Sequence, residues 1–323
     1  MNKKIIEKIC DKNNLKILKT IHENPGKDSV VIHVKDSENI EKIIKICGDT
    51  ASQKVKESFQ NECEFYLKFR SMFIPEYINS NSNYIILEYF NGITLREFIK
   101  NNFGQENNSS IEQKIVNSIS VIKWFHSLGN GICTSMNYKK ESIGETLFDR
   151  IGNLATSGPR NSKKIWIESF IIRRTWNLYV KKLRFGISKL ISLWEKENVS
   201  ILSEFGHYDM HSENLLVNEE SVKIIDFGNV KSPGVWISDC LYFSATVYAA
   251  LNGNIVMQEK IKHKVIEHMI LLEPKLKKTD LIKLTDIFFA AAEMNSRFRL
   301  QNKKLDILKI LSFMKAVSRF SVN

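Results

Sequence analysis

Little in this sequence suits a disulfide framework or a zinc site. Only five cysteines, Cys10, Cys47, Cys63, Cys133 and Cys240, are spread over 323 residues, and none forms a CxxC pair. An odd, dispersed set of this kind reads as reduced, buried thiols. Also missing is any run near the roughly 18 uninterrupted apolar residues of a membrane-spanning helix. The opening MNKKIIEKICDKNN has no sustained apolar stretch ahead of a small-residue cleavage site. A cytoplasmic protein without a transmembrane segment is therefore the expectation.

Acidic residues are outnumbered, 36 against 47 Lys and Arg, for a formal net charge of +11. Aromatic residues do not interleave with a basic ribbon, so a nucleic-acid partner is not expected. The excess lies mainly in Lys139 to Lys196 and Lys260 to Arg319. It is compatible with an anionic substrate or membrane surface, and equally with solvated faces; the glutamates interspersed among the lysines favour the latter. A hydrophobic content of 43% and a charged content of 26% are those of a globular chain, long enough here for a sizeable core in two lobes.

What is present is concentrated in FGHYDMHSENLLVNEESVKIIDFGN, residues 205–229. His207, Asp209, His211 and Asn214 fall within eight positions, and an apolar strand, Lys223 to Ile225, delivers Asp226 with Phe227 and Gly228 behind it. Phosphoryl transfer needs a carboxylate near the attacking hydroxyl and separate oxygen ligands for Mg²⁺ on the nucleotide phosphates. Asp209, Asn214 and Asp226 have the types and order for those roles.

The pattern His-x-Asp, Asn five residues after that Asp, then a strand-borne Asp-Phe-Gly resembles the catalytic segment of the protein-kinase-like fold. It is most similar to the aminoglycoside phosphotransferase and choline kinase branch, in which the segment commonly reads HGDLHPGN; HYDMHSEN keeps both histidines, the Asp and the Asn. The resemblance implies an α+β, two-lobed fold. Residues 1–90 are expected to form the nucleotide-binding lobe, a small antiparallel sheet plus a helix. Residues 91–323 are expected to form a larger, mainly helical lobe carrying catalysis and substrate, with a helical insertion at about 135–200. It also implies ATP or GTP with Mg²⁺ as cofactors, and a small molecule bearing a hydroxyl as substrate. Asp209 would be the base, with Asn214 and Asp226 as metal ligands. His207 would brace the loop, and His211 would either contact the transferring phosphate or pack.

The front of the chain fits that implication. Leu15 to Ile21 and Ser29 to Val34 read as strands around HENPGKD, with Pro25-Gly26 as the turn, and Glu41 to Cys47 as a third strand carrying Lys45. The protein-kinase glycine-rich loop is absent, but backbone amides around Gly26 and Ser29 are candidates for cradling phosphate, with a plain hairpin turn as the alternative. Ala51 to Phe69 has apolar residues near helical spacing and carries Glu62, seventeen positions after Lys45. By the resemblance, Lys45 and Glu62 are the strand-lysine and helix-glutamate pair, with Glu64 as the rival. Tyr84 to Leu87 reads as a buried strand ending at Glu88-Tyr89-Phe90-Asn91-Gly92, like the hinge whose backbone meets the adenine edge at Glu88 and Phe90.

Ile111 to Leu128 reads as a buried helix, with His126 as a packed residue rather than a catalyst. The insertion holds a basic cluster of Arg173, Arg174, Lys181, Lys182 and Arg184 that faces either an anionic substrate or solvent. Asp239 comes only thirteen positions after Asp226, too few for the activation segment that docks a polypeptide, and Asp239 is expected to tether the catalytic loop from a helix start. The tail reads as helical, with Glu293, Arg297 and Arg299 as undifferentiated acceptor-site candidates. A non-catalytic binding module on the same fold and a kinase acting on protein stand as alternatives; nothing in the sequence speaks to oligomeric state.

Overall fold

A computed structural model describes residues 3–24, 28–103, 108–129, 132–133, 140–156, 163–251, 254–294 and 307–321. In chain order the elements begin α1 (Lys3–Lys12), β1 (Lys16–Asn24), β2 (Ser29–Lys35), β3 (Glu41–Cys47), α2 (Gln53–Lys68), β4 (Tyr77–Ser80), β5 (Tyr84–Glu88) and β6 (Ile93–Thr94). There follow α3 (Leu95–Asn102), α4 (Asn108–His126), β7 (Ile132–Cys133), α5 (Lys140–Thr156), α6 (Lys163–Lys196), β8 (Leu202–Ser203), β9 (Leu215–Val217) and β10 (Val222–Ile224). A 3₁₀ turn at Phe227–Asn229, β11 (Gly234–Val235), α7 (Trp236–Ala250), α8 (Ile255–Leu272), α9 (Lys278–Met294) and α10 (Ile307–Ser321) complete the chain. It divides into two compact units, residues 1–93 with 216–230, and residues 94–215 with 231–323.

The first unit is built on an antiparallel sheet of order β1-β2-β3-β5-β4. Isoleucine and valine dominate β2, β3 and β5, and branched side chains of this kind suit a pleated, half-buried surface. Because strand side chains alternate, Val30, Ile32, Val34, Ile44, Ile46, Tyr84 and Ile86 share one face, where they pack with Cys10 of α1 and Leu15. α1 was not anticipated; its Ile6 and Ile9 pack against that cluster, covering the sheet on this side. The other face places Val31 across from Lys45 and Lys45 across from Ile85, with Ile43 between His33 and Leu87. The register thus sets one lysine among aliphatic side chains.

The second unit is mainly helical around α7, whose sequence WISDCLYFSATVYAA is apolar on nearly every side and is buried almost throughout. A helix without a polar stripe belongs in the middle of a core. Its own Trp236 and Phe243 are fully buried, as are Trp194, Phe288 and Phe313 elsewhere in the unit, and the Trp236 indole donates to the Ser200 carbonyl at 2.9 Å. Thr94 and Glu97 form a reciprocal capping box that starts α3. A small sheet of order β11-β8-β7 lies in the same unit.

Candidate active site

In the first unit, Lys45 leaves β3 with its Nζ 2.5 Å from Glu62 Oε2 and 3.0 Å from Asp226 Oδ1. Glu62, not Glu64, meets the lysine: Glu62 is 2% exposed on the inward face of α2, whereas Glu64 accepts from Gln60 at the surface. Burial alone would lower the Lys45 pKa, but the two carboxylates outweigh it and hold the ammonium charged well above its ordinary range. Burial raises the Glu62 pKa, against the opposing pull of Lys45. The two shifts favour different outcomes for the pair, and the 2.5 Å contact with a fixed cation decides for an ionised Glu62 at neutral pH.

Asp226 comes after β10 in the left-handed region, φ 64°, which a non-glycine residue adopts only where its surroundings enforce it. Here the next two residues enforce it. Phe227 is fully buried, stacked on Phe65 at 4.0 Å and edge-on to Tyr66 at 5.2 Å. A Cβ at Gly228 would stand 2.3 Å from the Ser58 hydroxyl and 2.9 Å from the Ser58 carbonyl, so only glycine fits against α2 there. The helix that carries Glu62 therefore also seats the Asp226-Phe227-Gly228 turn.

The other nucleotide-side candidates are dispersed around this cluster. Ser29 opens β2 across from Cys47, half-buried. Gly26 and Lys27 lie outside the described residues. Asp28, next to them at φ 47°, spends its carboxylate on the Thr50 hydroxyl (2.5 Å) and amide (3.2 Å), and its carbonyl accepts from the Gly48 amide at 2.7 Å. Glu88 ends β5, where its amide donates to the Glu76 carbonyl and its Oε2 stands 2.6 Å from Lys223 Nζ. Burial works against its charge, but the Lys223 contact and the Glu76 amide outweigh this and lower its pKa. The Phe90 ring is buried, with Lys223 Nζ 5.4 Å from its centroid. His33 stacks on Tyr89 at 3.9 Å, a pair no sequence pattern announced.

In the second unit the loop from Gly206 to Asn214 is held from several sides. Asp239, in the first turn of α7, accepts the His207 amide at 2.7 Å and the Tyr208 amide at 3.1 Å, one on each oxygen. This is the expected tether, although the helix opens at Trp236 rather than beside Ser238. Burial pushes the Asp239 carboxyl up to about 6, against Arg150 and the two amides. The His207 ring is fully buried, edge-on to Phe125 at 5.7 Å. His126 is buried with Nδ1 3.4 Å from the Ser203 hydroxyl, and burial lowers its pKa to about 3, so it is a neutral core residue.

Asp209 and His211 stand together, His211 Nε2 3.6 Å from Asp209 Oδ1. The Glu213 amide donates to His211 Nδ1 at 3.2 Å, which puts the neutral ring's proton on Nε2, facing Asp209. Asn214 donates from Nδ2 to the Asp209 carbonyl at 2.8 Å, leaving its amide oxygen as the free end. Tyr208 sits between His207 and Asp209 at φ 58°, with its hydroxyl on the Pro233 carbonyl. Arg150 of α5 stands 5.4 Å from the Tyr208 ring and 5.2 Å from that of Tyr242, a clamp that sequence reading missed because α5 and α7 are far apart along the chain. Glu293 pairs with Lys309 at 3.2 Å, and Arg297 and Arg299 lie outside the described residues.

Among the described residues no group of three or more His, Cys, Asp or Glu side chains is set to hold a metal ion. Asn214 and Asp226 each carry a hard side-chain oxygen of the kind Mg²⁺ takes, which on a nucleotide needs only one or two protein oxygens with phosphate and water completing the shell.

No protein-family model matches this chain, and no curated protein matches it by sequence. Solved structures do. Ethanolamine kinase of Plasmodium vivax superposes with a TM-score of 0.53 at 16% identity, covering 99% of this chain and 89% of that one. Choline kinase of Cryptosporidium parvum Iowa II gives 0.53 at 12% identity, covering 99% and 94%. The aminoglycoside phosphotransferase APH(2'')-Ib, bound to ADP, gives 0.52 at 14% identity over the full length of both chains. The chain has the protein-kinase-like fold that these ethanolamine, choline and aminoglycoside kinases share.

Proposed function

We propose that this protein is a phosphotransferase that moves the γ-phosphate of ATP, or GTP, onto a hydroxyl of a small molecule such as an aminoglycoside, an amino alcohol, a sugar or a glycolipid head group. The observation that carries the reading is the Lys45 ammonium clasped by Glu62 and Asp226. A lysine fixed in this way is a placed point charge for phosphate oxygens. The aliphatic side chains beside it, Val31, Ile43, Ile85 and Leu87, suit the flat face of a nucleobase. Ethanolamine, choline and aminoglycoside kinases of the same fold support the class of acceptor.

Each residue then has a role. Asp209 orients the acceptor hydroxyl and takes its proton as the oxygen bonds to the γ-phosphorus and the bond to the bridging oxygen breaks. His211, with its Nε2 proton toward Asp209, holds that carboxylate in one rotamer. Asn214 and Asp226 present the oxygens for Mg²⁺, which when bound neutralises charge on the transferring phosphate. Glu88 and Phe90 supply backbone groups for the base edge, and the turn at Gly26 to Ser29 supplies amides for phosphate. The compartment proposed for this reaction is the cytoplasm, a reading supported by the free, buried thiols of Cys10, Cys47, Cys63 and Cys240.

The test is Mg²⁺-dependent transfer from labelled ATP to a panel of hydroxylated small molecules, and to the macromolecular and small-molecule fractions of a cell extract. Label entering the small-molecule fraction, lost in Asp209→Ala while nucleotide binding persists, is the expected result. Label confined to protein, or parental turnover in Asp209→Ala, overturns it.

A further inference from the structure

The phosphoryl transfer proposed above assigns no role to the basic cluster of α6. From Phe170 to Trp194 this 34-residue helix holds six Arg or Lys and no Asp or Glu. Its inward side is taken up by packing, with Leu183, Ile187 and Trp194 buried. At about 3.6 residues per turn, Phe170, Leu178 and Phe185 fall on the opposite side, within about a third of the circumference. They are 53%, 67% and 64% exposed. Arg174, Lys181 and Lys182 occupy the same arc, all exposed. Their neighbour Arg184 lies outside it and is engaged with Glu145 at 2.5 Å, whereas Lys182 stands 5.7 Å from the centroid of the Tyr179 ring. Among the described residues none of Arg174, Lys181 and Lys182 is in an ion pair.

This mixture selects its occupant. Three large apolar side chains in water are unfavourable in one patch, which argues for a partner with an apolar interior. A second copy of the chain packed face to face would bring like charges together. A nucleic acid would satisfy the cations and leave Leu178 and Phe185 in water. An anionic bilayer satisfies both sets, with phosphate head groups against the cations and the acyl boundary for the two phenylalanines and the leucine.

We infer that the outer face of α6 is a docking surface for anionic phospholipid membrane. The inward side of the helix stays packed in the protein, so the attachment is peripheral; no described helix is long and apolar enough to cross a membrane.

The experiment is co-sedimentation of the full chain with vesicles of phosphatidylcholine alone and of phosphatidylcholine with one third phosphatidylglycerol. The bound fraction is expected to be at least about tenfold larger on the anionic vesicles and to fall as salt is raised. Lys181→Glu with Lys182→Glu, and separately Phe170→Ser with Leu178→Ser and Phe185→Ser, are each expected to reduce binding about tenfold while the melting temperature stays within a few degrees. Equal binding to both vesicle types, no binding, or variants that bind like the parent would overturn the inference. So would a parental dimer in light scattering that the Phe/Leu variant abolishes, since the face would then join copies of this chain.

Discussion

The Phe227 ring lies on the Phe65 ring at 4.0 Å with the planes only 14° apart. Phe65 belongs to the helix that carries Glu62, and Phe227 is the residue after Asp226, so one stacked pair fixes the distance between two carboxylates that share Lys45. Phe227→Ala empties a fully buried site and is expected to destabilise the protein by about 3–5 kcal/mol. Phe227→Leu keeps most of the volume and is expected to cost less, but without the stack Asp226 is held less firmly. Nucleotide affinity, measured by calorimetry below the melting temperature, should therefore fall in both variants. Unchanged affinity in Phe227→Leu would show that the stack does not position Asp226.

The Lys45–Glu62 pair predicts a recoverable loss. Lys45→Met leaves a buried carboxylate beside Asp226 without its cation and is expected to destabilise by about 3 kcal/mol, while Lys45→Met combined with Glu62→Leu regains most of that. Both variants lose transfer. Urea midpoints of the parent, the two single variants and the double variant close the cycle; additive losses would mean the pair is not coupled.

Asp239 binds no nucleotide or acceptor in this scheme, yet its two oxygens fix the amides just before the base. In Asp239→Asn one amide would face an NH₂ group. The expected loss is about 2–3 kcal/mol of stability. The transfer rate should drop by at least about tenfold with the KM for nucleotide little changed, as the displaced group acts on the acceptor side. A raised nucleotide KM with an unaltered rate would contradict this.

Two histidines and one aspartate are expected to shape the response of stability to acid. His126 and His268 are pushed down to about 3 and about 4, chiefly by burial. Unfolded histidine takes up its proton near pH 6.5, so the stability tied to these two is complete above that pH and lost as pH falls toward 4, at about 1.4 kcal/mol per pH unit for each. Asp239, raised to about 6, runs the other way: its folded form gains a proton first, which adds stability between about pH 6 and 4 and offsets one histidine. The net expectation is a urea midpoint that falls most steeply between about pH 6.5 and 6, where both histidines act unopposed, and about half as steeply below that. His268→Gln should flatten the curve; a midpoint that rises on acidification would sink the account.

The candidate segment around Asp209 stands out in the sequence because its residues are close along the chain. The spacing from His207 to Asn214 and the strand leading to Asp226 need no tertiary knowledge. The Lys45–Glu62 pair was legible for a related reason: a strand and the next helix along the chain each carry a charge among apolar neighbours. What escaped were pairings chosen by tertiary packing. Arg150 meets Tyr208 and Tyr242 across α5, the catalytic loop and α7. Lys223 meets Glu88 from a strand 135 residues away. His33 stacks on Tyr89, and α1, short and half polar, shows its purpose only once the sheet face it covers exists. No local periodicity encodes such choices.

The alternation along β3 also governs how this site is assembled. Lys45 lies between Ile44 and Ile46, both of which point into the packed side under α1. If β3 slipped by a single residue against its neighbours, the ammonium would be driven into hydrocarbon and an isoleucine would take the position beside Glu62 and Asp226. The greasy neighbours of the lysine thus act as its proofreaders, making any misaligned sheet too costly to persist.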